Sequence, residues 1–295
     1  HKRNSTYDIV TVDGCRIIND DFSKIKDTMK TTRVKLGLIA VSEKLLTEKQ
    51  SEEINRLQAA MDKRFGDIAV EKGYLTNEQV SHLLSLQGNA YMQLVSAITE
   101  GGYLSMEEIE ASIISFKEAK NISDEDFSLL KSNDVDNIIS VFVKSENELA
   151  NRLIGLAIRN IIRFISTEVT FESLEEVGFL SFEHIATQSV KGDHSILLGF
   201  AGNDTSLLSI ANPFAKEAFT EVDADSFDSV CEFINCINGL YASALSKENI
   251  EIDMEPPLFF DNGSVASDIV YKLPMTIAGK PVDLVAVVDN NYKIN

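Results

Sequence analysis

Four residues in the second half of the chain have types and spacing that suit chemistry on one face of a helix. They are Asp228, Glu232, Asn235 and Gly239. Their spacings of four, three and four residues stack them along a single helical face. The glycine costs a helix interior about 1 kcal/mol relative to alanine, but a bare patch beside an acid and an amide lets a partner's backbone approach closely. The alternative is that these are ordinary solvated polar residues and that the glycine serves packing.

The element that must position these residues is a long helix, predicted over about 226–246. Apolar residues recur on the side of this segment that lies opposite the polar face: Phe227, Val230, Ile234, Ile237, Tyr241 and Leu245. Such a stripe packs into a domain core, which directs the acid and the amide outward.

The surrounding sequence predicts a layered α/β domain. A second helix is expected from Glu148 to Ile165. Strands are predicted at about 167–175, 180–189, 193–200, 205–211, 249–254, 266–273 and 282–288. Gly199-Phe200-Ala201-Gly202 is interpreted as a hairpin turn between strands. Two helices among many strands joined by short turns are typical of a layered fold.

The first half of the chain is a helical repeat, with units of about 29 residues. Leu46-Thr47 recurs as Leu75-Thr76, and a more diverged third copy has Leu104-Ser105. The threonine or serine suits a helix N-cap. The copies resemble short helical modules found beside secretion ATPases and signalling proteins. Because stacked copies bury faces that no copy buries alone, we expect them to form a small core. The resemblance implies a docking or dimerisation domain over 1–140, followed by the second domain over 141–295. Residues 138–143 suit either helix or strand.

Composition restricts the classes of function. A formal net charge of −19 disfavours nucleic acids and anionic membrane surfaces as partners. No apolar run approaches the ~20 residues of a membrane span, and no spacing of histidines or cysteines is typical of a metal site. We therefore expect a cytoplasmic protein without membrane insertion and without a metal of its own.

The polar face also carries a family resemblance. Asp228-x3-Glu232-x2-Asn235, followed by Gly239 and then, further along the chain, by Pro257, resembles the signature of the CheC/CheX/FliY family of chemotaxis response-regulator phosphatases. The preceding proline could be the match instead. The resemblance covers the second half of the chain and implies a CheX-like α/β domain. The whole chain is then α+β, with the all-α repeat domain first.

The resemblance implies dephosphorylation of the aspartyl phosphate of a CheY-like response regulator. Glu232 would bind a lysine of the regulator and Asn235 would orient the attacking water, with Asp228, Gly239 and Pro257 in support. The regulator supplies its own Mg²⁺, so no cofactor of this chain is implied. Family members include homodimers, which implies the same here. The alternative is a non-enzymatic adaptor that binds a receiver domain or a flagellar-switch protein through the same face.

An internal duplication relates the two predicted helices, since the long helix can be shifted back along the chain until Glu232 falls on Glu148. The same shift places Asn151 at the position of the amide and Gly155 at the position of the glycine. Lys144 takes the position of Asp228. The domain is therefore expected to have pseudo-twofold symmetry, with the main centre on the second helix. Whether Glu148 and Asn151 form a second working centre or a relic stays open.

Overall fold

The computed structural model describes residues 24–25, 27–29, 33–61, 63–132 and 134–295. The chain divides into two compact units, with the division between Asn137 and Ile138. Positions 1–23 of the predicted repeat domain lie outside the described residues. Among the described helices, none combines the length and the apolar character that crossing a membrane requires.

The first unit is built of short helices, as the repeat predicts. They are α1 (Leu36–Ser42), α2 (Glu48–Met61), α3 (Phe65–Glu71), α4 (Asn77–Ser85), α5 (Ala90–Glu100), α6 (Met106–Lys120) and α7 (Asp124–Lys131). Helix α8 (Val135–Phe142) crosses the division between the units. Residues 138–142 are therefore helical, which decides between the two alternatives that the sequence left open.

The three copies of the repeat begin their second helix in the same way. In each copy a hydroxyl accepts a hydrogen bond from the backbone three residues on, and the side chain of that later residue bonds back. The pairs are Thr47 with Gln50, Thr76 with Gln79 and Ser105 with Glu108. This capping box satisfies backbone N–H groups at the helix start. The leucine before each cap is buried, so the repeated Leu-Thr and Leu-Ser pairs have a structural role.

The second unit contains three helices and seven strands. They are α9 (Glu148–Phe164), β1 (Val169–Phe171), β2 (Glu175–Gly192), β3 (Ile196–Gly202), α10 (Asp204–Ala215), α11 (Ala224–Ser246), β4 (Ile252–Met254), β5 (Leu258–Ile277), β6 (Lys280–Val288) and β7 (Tyr292–Ile294). The strand order is β1-β5-β6-β3-β2-β4, all pairs are antiparallel, and β7 pairs with β5. Strand β2 also pairs with β5, so these two long strands close the sheet onto itself.

The two faces of the sheet contribute to different apolar clusters. Leu198 and Phe200 of β3 pack with the helices, whereas Leu197 and Ala201 belong to a cluster on the other face. This alternation follows from the two-residue period of a strand. The helices thus form a layer on one face of the sheet, and the predicted layered fold is confirmed.

The duplication relates most elements of the second unit. Helix α9 is followed by β1, β2 and β3, and α11 is followed by β4, β5 and β6 in the same order. The shift that places Glu148 onto Glu232 also predicts where β4, β5 and β6 begin, to within a few residues. Helix α11 starts earlier than the shift predicts. Helix α10 connects the two series, and neither α10 nor β7 belongs to the matched elements.

Two expectations about local structure were wrong. Residues 205–211 belong to helix α10 and not to a strand, because Asn203 caps the helix by accepting from the backbone N–H of Ser206 and the apolar residues that follow fit a helical spacing. Gly199 and Gly202 lie within strand β3 and not in a hairpin turn. A Cβ at Gly202 would overlap Ser206 at 2.4 Å, so this glycine permits close packing against α10.

Candidate functional site

Helix α11 is fixed at its start and along its inner side. The Asp223 carboxylate accepts from the backbone N–H of Ser226 at 2.9 Å, and the Ser226 hydroxyl accepts from the N–H of Asp223 at 2.8 Å. The hydrogen bond from the Ser226 backbone N–H is the largest cause that holds the pKa of the Asp223 carboxyl below its usual range. All members of the predicted apolar stripe are buried: Phe227, Val230, Ile234, Ile237, Tyr241 and Leu245. The opposite side of the helix must therefore face outward.

The predicted polar face is open. Asp228, Glu232 and Asn235 are exposed and Gly239 is partly exposed. Glu232 and Asn235 are three residues apart, which separates them by about 4.5 Å along the helix axis. A Cβ built on Gly239 would meet, among the described residues, only the terminal methyl of Met254 at 4.0 Å. The acid, the amide and the bare backbone thus lie side by side on one accessible surface.

The two acids of this face have no cationic partner among the described residues. Burial, with smaller contributions from the charges of Asp228 and Glu232, raises the pKa of the Cys231 thiol beneath them to about 11. The thiol is therefore protonated at neutral pH and does not compete as a nucleophile. Unneutralised carboxylates on an exposed helix attract a cation from a partner.

Asn235 is tied to the protein through its oxygen. The Gln188 carboxamide of β2 donates from Nε2 to Asn235 Oδ1 at 2.8 Å. Gln188 is 2% exposed, and the buried Asn238 donates from Nδ2 to Gln188 Oε1 at 2.9 Å. Neither supporting amide was predicted from the sequence. The available signal was a glutamine between Ala186 and Val190, which alternation places on the helix-facing side of β2.

The proline pair follows a residue that contacts the same network. Gln188 Nε2 also donates to the backbone carbonyl of Glu255 at 2.9 Å, and the Glu255 N–H donates to the carbonyl of Ser189. Pro256 and Pro257 come next and are exposed. A residue before proline is restricted to extended conformations, so Pro256 restricts the backbone of Glu255.

Apolar side chains border the polar face on its β4–β5 side. They are Met254, Leu258 and Phe259, each 44–58% exposed. Phe259 stacks on Phe227 of α11 with ring centroids 4.3 Å apart. Large exposed apolar residues grouped beside a charged surface are typical of a protein-binding site. We call these three residues the apolar border.

The equivalent residues of α9 have a different environment. Both ends of the Asn151 carboxamide bond Ser145: Oδ1 accepts from the hydroxyl at 2.8 Å and Nδ2 donates to the carbonyl at 2.9 Å. Gly155 is buried, and a Cβ there would lie 3.4 Å from Ile139. Glu148 is exposed. Helix α9 therefore has the same residue types as α11, but its glycine is buried and its asparagine amide is hydrogen-bonded to Ser145.

A second polar cluster lies near the start of α11. His184 Nδ1 bonds Asp261 at 2.6 Å and its Nε2 bonds Asp204 at 2.7 Å, while its ring contacts Phe227 edge-on. Burial lowers the pKa of His184, but the two carboxylate hydrogen bonds outweigh burial and the net pKa is raised. Glu183, His184 and Asp204 are a group of the described residues with ligand atoms close enough for a metal. Since both ring nitrogens already bond carboxylates, an ion network accounts for the cluster.

The fold and the site define a class: a duplicated, layered α/β domain that presents a carboxylate and a carboxamide on one exposed helix. Residues 184–284 match the model of the family described as chemotaxis phosphatase CheX. This matched segment makes the second unit CheX-like. No curated protein matches the chain.

Several solved structures are similar to this unit. A CheC-like superfamily protein from Shewanella sp. PV-4 is 17% identical, covers 49% of this chain and 99% of its own, and has a TM-score of 0.43. The CheX–CheY–BeF3–Mg²⁺ complex from Borrelia burgdorferi is 15% identical over 48% of this chain and 97% of its own, with a TM-score of 0.38. FliY from Thermotoga maritima is 17% identical over 48% and 85%, with a TM-score of 0.34.

Proposed function

We propose that the CheX-like unit hydrolyses the aspartyl phosphate of a CheY-like receiver, with Glu232 binding the receiver and Asn235 orienting the attacking water. One observation carries the proposal: in a domain that matches a chemotaxis phosphatase family, the acid and the amide lie exposed and side by side next to bare backbone at Gly239. An adaptor could use the acid, but it has no need of an amide held at a fixed orientation.

The chemistry suits these residue types. The water oxygen attacks phosphorus, the bond between phosphorus and the aspartyl oxygen breaks, and inorganic phosphate leaves with the aspartate carboxylate restored. The proton that the water loses on attack is taken up by a phosphoryl oxygen, so the products are the aspartate carboxylate and dihydrogen phosphate, which then equilibrates with solvent. Such a transfer depends on positioning and on charge stabilisation more than on covalent catalysis. The receiver supplies the phosphoaspartate and the Mg²⁺ that neutralises developing charge. Asn235 does not titrate, so its contribution stays constant across neutral pH.

Glu232 gives the encounter its electrostatic component. As an exposed carboxylate with no cationic partner among the described residues, it is available to a receiver lysine. Asp228, one turn earlier on the same face, adds to the negative potential. The apolar border supplies contact area beside these charges, in the way that apolar groups accompany charged groups in protein interfaces.

We further propose that α9 does not provide a second working centre. The Asn151 amide is engaged by Ser145 at both ends, and Gly155 is covered. Water activation there requires two hydrogen bonds to be broken first. The homodimer, the cytoplasmic location and the docking role of the repeat unit stay predictions.

The test is a timed loss of label from a panel of phosphorylated receivers, with and without the full-length protein. We expect faster loss for the cognate receiver. Glu232→Lys raises KM, and a receiver in which the lysine that contacts Glu232 is changed to glutamate restores binding to that variant. Asp228→Lys, on the same face, is the matched control and is expected to be rescued less. Binding of the receiver without faster loss of label contradicts the enzyme and supports the adaptor.

A further inference from the structure

The side of Asn235 that faces a visiting protein is decided by a buried glutamine. Gln188 lies on β2 beneath α11, and its Nε2 makes two hydrogen bonds, one to Asn235 Oδ1 at 2.8 Å and one to the Glu255 carbonyl at 2.9 Å. Its Oε1 accepts from Asn238. Both Nε2 and Oε1 of Gln188 therefore bond other residues of the same unit.

The Glu255 carbonyl sets the orientation of the whole network. A backbone carbonyl can only accept, so the side of Gln188 that faces it must be the amino group. The other proton of the same amino group then points at Asn235, which must offer its oxygen. Asn235 consequently turns Nδ2 toward solvent. The assignment of amide oxygen and nitrogen follows from the network here, as it must for any asparagine.

Asn238 supports the same orientation of Gln188, but one of its own polar atoms is left without a hydrogen bond. Its Nδ2 donates to Gln188, whereas its Oδ1 is buried without a hydrogen-bond partner among the described residues. Rotating the Asn238 amide would place two oxygens against each other. A buried acceptor without a partner is rare in native structures. In this network, the Asn238 side chain with the unpaired Oδ1 also donates the hydrogen bond that fixes the orientation of Gln188.

We propose that Gln188 is a positioning residue for Asn235, and that Asn235 presents its Nδ2–H groups to the receiver. This rests on the proposed function and deepens it. With Oδ1 occupied on one side, Asn235 holds the water chiefly as a donor: one lone pair of the water accepts from Nδ2 and the other points at phosphorus. Pro256 belongs to the same arrangement, because it restricts the Glu255 backbone whose carbonyl fixes Gln188.

The kinetic test compares Gln188→Met and Gln188→Glu with the wild-type full-length protein. The methionine keeps the volume and removes the donor. The glutamic acid has at most one proton to donate, so it cannot bond both the Glu255 carbonyl and Asn235 Oδ1. We expect kcat to fall about 10- to 100-fold in both variants, as for misplaced catalytic groups, with KM for the receiver within about twofold because Glu232 is untouched. Asn160→Leu removes a different buried amide of the same unit and keeps the wild-type kcat. A folded Gln188→Met protein with wild-type kcat overturns the proposal.

An activity-free test separates this proposal from the proposed function. Hydrogen exchange of side-chain amides, followed by NMR in the unliganded full-length protein, should show protected Gln188 Nε2 protons and fast-exchanging Asn235 Nδ2 protons. Asn235→Ala should release one of the two Gln188 protons. Protected Asn235 protons beside unprotected Gln188 protons overturn the positioning role, whatever the folding of the variants. If no receiver loses label faster with wild-type protein, the proposed function fails while this measurement still decides the orientation of Asn235.

Discussion

Gly239 leaves space on the polar face and, as a glycine inside a helix, lowers the free energy of unfolding. A glycine in a helix interior is less favourable than alanine by about 0.8–1.0 kcal/mol. At this position an added methyl meets only Met254, at 4.0 Å, among the described residues, so no clash offsets the gain in helix propensity. We therefore expect Gly239→Ala to raise the free energy of unfolding of the CheX-like unit by about 0.5–1 kcal/mol.

The same substitution should impair the proposed function. If the receiver backbone packs against Gly239, an extra methyl in a close contact costs about 1–3 kcal/mol. That corresponds to about 5- to 150-fold weaker binding of the receiver. The proposed function thus explains the helix-weakening glycine by the space that a receiver would occupy.

Calorimetry of the full-length protein and receiver dephosphorylation test the two halves of this prediction. For a unit of this size, 1 kcal/mol raises the melting temperature by about 2–4 °C, so the transition of the CheX-like unit should rise by about 1–4 °C. Gly155→Ala is the matched control on α9: its methyl would touch Ile139 at 3.4 Å, so stability should gain less and activity should not change. A Gly239→Ala protein that is both more stable and fully active refutes the reasoning.

Two further predictions concern the rest of the unit. Asn151→Ala should leave receiver dephosphorylation unchanged while lowering the free energy of unfolding by about 1–3 kcal/mol, because it removes both hydrogen bonds to Ser145. Denaturant unfolding and turnover, measured on the same variant, check this. A large loss of turnover would show that α9 carries a working centre. His184 has a raised pKa, so its charged form stabilises the fold below the ordinary histidine pKa of about 6.5, and this stabilisation is lost as pH rises through the raised pKa. The destabilisation by His184→Gln should therefore be larger at pH 6 than at pH 9 in urea unfolding, and an equal or reversed difference would show that Asp204 and Asp261 do not hold a charged ring.

The features that sequence predicted well are those set by local interactions. The capping pairs of the repeat, such as Thr76 with Gln79, involve residues three apart. The polar and apolar sides of α11 follow from the helical period alone. The duplication was also visible, because matched positions in the two halves retain residue types such as Glu148 and Glu232.

The features that sequence missed depend on distant contacts or on competing local preferences. Residues 205–211 are apolar enough for a strand, and the cap at Asn203 decides in favour of a helix. Gln188 on β2 contacts Asn235 on α11, far along the chain, so no local pattern indicates the bond. Ser145 and Asn151 are close in sequence, but the hydrogen bonds between them depend on the backbone conformation just before α9.

The central claim is that Asn235 activates water on a visiting aspartyl phosphate. The most direct measurement is the single-turnover decay of a phosphorylated cognate receiver at saturating concentrations of wild-type and Asn235→Ala protein, with the affinity for a stable phosphate-mimic form of the receiver measured separately. The account predicts that Asn235→Ala binds the receiver as tightly as wild type and that the decay returns to the receiver's own rate. Wild-type acceleration by a tightly binding Asn235→Ala protein would contradict it.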